Sequence, residues 1–258
     1  MISAFAALVI AGLAGLPRLH LDVYPVIATA GMLAALWLST HTARRCGLSS
    51  DRLWDAGVFA IVAAFVISRV LGAFLFLVIE RGHLSLSFME ILRFSTISFL
   101  SLVLTGIAVW FWLGWRRLPA LRALDAWTAP AALLWAALAF ANAESAAEVG
   151  MPTTLPWGIL ARGLPQGMRV HPIALYTAAF ALLLAAVLLV LMDRRRVPGR
   201  LAGWAVIAAG IAAFLLDMLR APEQIEGASL LDTSQWIALA GVVAGTTLLS
   251  FTMHSEAP

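Results

Sequence analysis

The sequence has one cysteine, Cys46, and no lysine among 258 residues. A lone thiol cannot bridge the chain to itself, and no spacing suited to zinc exists. Cys46 lies in "ARRCGLSS", an arginine-rich loop, and reads as a free, inert thiol. All 17 basic residues are arginine, a bias from which no function follows. Charge itself is scarce, with 12% of residues charged and 62% hydrophobic. A soluble domain would not need apolar runs of about 20 residues, the length that crosses a hydrocarbon layer about 30 Å thick. Such runs recur throughout. The chain reads as one all-α, polytopic membrane domain covering residues 1–258, with no nucleic-acid partner expected.

Seven runs are long enough to span: 23–40, 53–79, 96–115, 123–143, 173–192, 201–219 and 236–253. Residues 1–22 open with "MISAFAALVIAGLAGLP", too short for a full span and without the basic start of a secretory signal, so a half-inserted or interfacial arm is expected. Loops after the first, third and fifth runs hold ten arginines, against six on the other side. That bias places the ten in the cytoplasm, with the core beginning outside and ending inside. Residues 144–172 form a long external segment whose prolines and glycines block a continuous helix, and long ordered loops tend to carry function. No repeat is visible, which speaks against an inverted-repeat transporter.

Polar groups inside spans cost several kcal/mol unless paired, so they are the informative ones. Arg69 sits mid-run in "FVISRVLGAF" and suits either a structural ion pair or a lipid-phosphate clamp. Asp217 and Arg220, in "FLLDMLRAP", have the i,i+3 spacing of an ion pair; alternatively Asp217 orients Arg220 toward a headgroup. Asn142, Glu144 and Glu148 stand where the fourth run meets the long loop, and the two acids are either solvated or a source of a general base. In "RVHPIALYTAAF", Pro172 suits the first helical position, which makes His171 the cap at the outer interface. Tyr176 follows five residues later, so on an ideal helix the two side chains diverge. A capping histidine, a belt tyrosine and Trp157 at the same level would serve as interfacial anchors. Gly241 and Gly245 have the GxxxG spacing that permits close helix packing.

In this order the residues resemble the bacterial prolipoprotein diacylglyceryl transferase family. The specific stretch is "VGMPTTLPWGI" followed by "VHPIALYTAAF", similar to the family's glycine-proline-threonine, proline-tryptophan-glycine and His-Pro-x-x-Leu-Tyr signature. Around it, the span with Tyr24, the segment "ISRVLGAFLF" and the closing "FLLDMLRAP…TSQWIALAGVVAG" extend the likeness over most of residues 20 to 250. The resemblance implies seven transmembrane helices with a small periplasmic head in a bacterial inner membrane. It implies transfer of diacylglycerol from phosphatidylglycerol to the lipobox cysteine of a lipoprotein precursor, with glycerol 1-phosphate released and no cofactor or metal. Positions that match are Tyr24, Arg69, Asn142, Gly150, His171, Tyr176, Asp217, Arg220 and Gln235.

Other positions depart. The family's His-Gly-Gly falls at Leu100-Ser101-Leu102; two functional arginines correspond to Ala139 and Ala213; a glutamine and a glutamate beside the tyrosine correspond to Ala174 and Thr177. The reading that follows assigns Arg69 and Arg220 to headgroup charge, Asn142 and Tyr24 to its orientation, and His171 or Glu148 to the thiol proton. Gly150, Tyr176 and Asp217 complete the expected lipid site. A catalytically silent relative that grips lipid or precursor is the alternative, and a small transporter a second.

Overall fold

The computed structural model describes residues 23–79, 99–145, 150–160, 168–194, 197–220 and 233–254. Seven helices occur among them: α1 Val23–Arg45, α2 Ser50–Ile79, α3 Phe99–Trp115, α4 Ala120–Ser145, α5 Ile173–Met192, α6 Arg200–Asp217 and α7 Thr233–His254. They follow the seven apolar runs, with ends displaced by a few residues. Six are long and apolar enough to cross a membrane, while the apolar stretch in α3 is shorter. Large side chains such as Trp37, Phe111, Leu183 and Phe251 remain exposed, as lipid-facing surfaces require. The chain is a multi-pass membrane protein. The expected N-terminal arm, residues 1–22, lies outside the described residues.

Helix ends at the arginine-rich side are sharply closed. At the end of α1 the Leu48 N–H donates to the Ala43 carbonyl and the Gly47 N–H to that of Arg44, with Gly47 at φ +68°. This is the left-handed termination that glycine makes cheaply. The end of α3 repeats it with Arg117, at φ +52°, in the glycine's place. Ion pairs Arg45–Asp193 at 3.6 Å and Arg116–Asp55 at 3.2 Å tie neighbouring loops at this side.

Small residues set how the helices approach. Along α1, Ala28, Gly31, Ala35, Ser39 and Thr42 form one buried stripe at helical spacing. A side chain at Gly31 would collide with Ala137 of α4. Between α6 and α7 the close contact uses Gly203, Gly210 and Gly245, each of which faces partner atoms that a Cβ would strike. Gly241 faces open space, so the GxxxG pair expected from sequence contributes only its second member. Side chains in the main core cluster, from Ala43, Leu53 and Leu113 to Leu188, Met192 and Leu201, gather at the arginine-rich end. The opposite end is where the bundle opens.

Two short strands stand at that opposite end: β1 Ile159–Leu160 pairs antiparallel with β2 Arg169–Val170. Strand β2 feeds directly into α5. The segment after α4 is laced to both neighbours, since the His171 N–H donates to the Met151 carbonyl at 3.0 Å and the Met151 N–H to the Leu219 carbonyl at 2.8 Å.

Candidate functional site

At the hairpin end, α4, α5, α6 and α7 enclose a cavity of about 190 Å³. Asn142 reaches it from α4, Thr177 from α5, Asp217 and Arg220 from the exit of α6, and Ser234 from the start of α7. Trp135 and Leu138 form part of its apolar wall. Arg220 Nη1 stands 3.4 Å from Asp217 Oδ1, and the Ser234 hydroxyl donates to Asp217 Oδ2 at 2.8 Å. The Asp217 side chain is 8% exposed and that of Arg220 31%, so the carboxylate is held inside while the guanidinium reaches toward the opening. A cation at this depth offers a fixed fork of donors to an anionic group.

Gly150 joins this cavity to the histidine segment. It forms an antiparallel bridge with Arg220, and any side chain on it would collide with the His171 carbonyl. Only glycine lets the three backbones lie so close. His171 is therefore next to the cavity through its main chain, although its side chain is not among the lining groups.

The helix start beside His171 differs from the sequence expectation. Pro172 is the N-cap and Ile173 the first residue of α5, so His171 stands one residue outside the helix. Helical angles do not apply to it, and the predicted divergence from Tyr176 fails. His171 Nδ1 lies 3.4 Å from Tyr176 Oη, with ring centroids 6.1 Å apart. The phenol oxygen also accepts the Trp157 indole N–H at 2.7 Å. Indole donates only, so the phenol proton remains available to Nδ1, an arrangement that leaves the imidazole proton on Nε2. Trp157, Tyr176 and His171 thus form one chain of polar contacts rather than three separate anchors.

Other expected residues lie elsewhere. Arg69, on α2, is not among the groups lining the cavity; its guanidinium carbon lies 5.1 Å from the centre of the Phe65 ring, one turn back on the same helix. Tyr24 is the second residue of α1 and 41% exposed. Glu148 lies outside the described residues, and of Glu144 only the backbone, in α4, is described. Both alanines that replace family arginines, Ala139 and Ala213, line this one cavity. Ser101, in the stretch matching the family's His-Gly-Gly, is buried at 1% exposure.

Sequence reading missed Ser234 and Trp135, which line the cavity, and Asp125. Asp125 is fully buried at the arginine-rich end; Oδ2 accepts the Gly199 N–H at 2.7 Å and Oδ1 the Ala202 N–H at 2.9 Å. It caps α6 from α4. An acid in the first turn of a helix looks ordinary in sequence, which is why its long-range role was invisible.

No curated protein matches the chain. The family model for prolipoprotein diacylglyceryl transferase matches residues 12–251, which includes every element of the cavity and of the histidine segment. The chain belongs to the prolipoprotein diacylglyceryl transferase family.

Proposed function

We propose that this protein transfers diacylglycerol from phosphatidylglycerol to the lipobox cysteine of a lipoprotein precursor. The observation that carries the reading is the cavity itself, where Asn142, Asp217 and Arg220 converge and Gly150 ties it to His171. Arg220 holds the phosphate, Asn142 orients the headgroup, and Asp217 fixes the Arg220 guanidinium. Arg69 and Tyr24 serve the same headgroup charge and orientation from α2 and α1. His171 or Glu148 takes the proton of the precursor thiol. The thiolate sulfur then bonds to the glyceryl carbon, the carbon–oxygen bond to phosphate breaks, and glycerol 1-phosphate leaves with the electron pair. Cationic stabilisation of the departing phosphate is the main electrostatic contribution such a site can make.

In this reading the protein sits in the bacterial inner membrane with seven spans, core N-terminus outside and C-terminus inside. The hairpin end is a periplasmic head at phospholipid-head depth, and the ten-arginine end faces the cytoplasm, as the charge bias supports. The test is complementation of a strain depleted of its own transferase, with thioether formation assayed in vesicles holding purified protein. Neither rescue nor thioether would remove the proposal.

A second reading is favoured by Ala139 and Ala213, which leave Arg220 as the cationic side chain lining the described cavity. In it the protein binds lipid or precursor without transfer. Phospholipid that co-purifies with a protein forming no thioether would select this reading.

A further inference from the structure

The polar cavity is the upper part of a longer opening. Toward the arginine-rich end, α4, α5 and α6 leave an apolar groove of about 370 Å³. Trp135 lines both spaces. The order along each helix is continuous. On α4 the groove uses Leu124, Thr128 and Ala131 and the cavity Leu138 and Asn142; on α6 the groove uses Ala205 and Ala209 and the cavity Ala213 and Asp217. On α5, Leu188 and Leu184 lead to Thr177. From Leu124 to Asn142 the helix rises about 27 Å at 1.5 Å per residue, close to the thickness of the hydrocarbon layer.

Small side chains hold this slot open. Ala131 and Ala132 on α4 and Ala205 and Ala209 on α6 are too short to fill the space between their helices. The one hydroxyl in the groove, on Thr128, donates to the Asp125 carbonyl at 2.8 Å and so makes no polar demand on an occupant. Close-packed interiors seldom leave a dry void of this size, and an apolar one takes up an apolar guest. The polar groups lie at one end only. That is the pattern of a single amphiphile, head up and one chain down.

We infer that the groove holds one acyl chain of the phospholipid whose headgroup occupies the Asn142–Asp217–Arg220 cavity, with Trp135 at the junction. This rests on the lipid-handling reading above, and it names where the chain goes while transfer is in progress. Ala131 and Ala209 then decide how much of the chain is gripped.

The test uses phosphatidylglycerol with a photoactivatable group either beside the acyl carbonyl or at the chain terminus, reconstituted in vesicles with the full-length protein. Terminal label is expected on peptides carrying Leu124–Thr128 and Ala205–Val206, and carbonyl-proximal label on the peptide carrying Trp135–Asn142. Ala209→Phe should lower the terminal label in the groove about tenfold while label on outward-facing Phe111 and Leu183 persists. Ala209→Leu serves as the milder variant where phenylalanine impairs folding. Terminal label spread evenly over outward-facing residues, or unaffected by both substitutions, overturns the inference. Thioether formation in the same vesicles keeps the two questions apart: groove label without thioether leaves the chain site standing and removes the transferase, and thioether without groove label does the reverse.

Discussion

Asp125 and Gly199 are 74 positions apart, yet the carboxylate of one accepts the backbone N–H of the other at 2.7 Å. Gly199, at φ +87°, is the N-cap of α6 and has no side chain with which to cap its own helix. Asp125 supplies the oxygens instead, and the positive end of the helix favours its charge. Asp125→Ala leaves two buried donors without that acceptor. The expected cost is about 1–3 kcal/mol, read as a lower midpoint of thermal unfolding in detergent. An unchanged midpoint would show that water or another group caps α6 equally well.

Gly150→Ala should act without changing charge. Its methyl group would meet the His171 carbonyl and push the segment away from Arg220. Lipid retention and thioether formation are expected to fall at least about tenfold, with the midpoint of unfolding lowered much less because the main core lies at the other end. Equal loss of stability and function would point to a folding role alone.

Ala213→Arg adds a cation to a cavity whose one arginine is already paired with Asp217. Retention of phosphatidylglycerol over phosphatidylethanolamine should rise about tenfold, measured by lipid analysis of the washed protein. Ala139→Arg should shift the ratio the same way. A ratio that does not move would mean that the headgroup binds elsewhere.

Tyr176→Phe removes the oxygen shared by Trp157 and His171. The expected loss of stability is about 1 kcal/mol, the usual worth of one hydrogen bond. Histidine NMR should report a changed tautomer for His171, since Nδ1 loses its phenol neighbour. If the tautomer stays as it was, the phenol does not orient the imidazole.

The surface pair Arg45–Asp193 makes a useful contrast. Both side chains are about half exposed or more, so Arg45→Ala should change stability by no more than about 1 kcal/mol. A larger loss would mean that the Arg45 donation to the Leu189 carbonyl matters more than the ion pair.

The sequence by itself determined the helices and the family, because span length, arginine bias and a local motif are properties of neighbouring residues. It also identified Asn142, Asp217 and Arg220, since polar groups near apolar runs stand out. What only the tertiary structure decided are relations across elements: Asp125 capping a distant helix, Arg69 placed over Phe65 outside the cavity, His171 reaching Tyr176 from outside the helix, and two alanines sharing one cavity. The physical reason is that periodicity specifies which face of a helix is apolar, whereas the partner of that face depends on how several helices pack together.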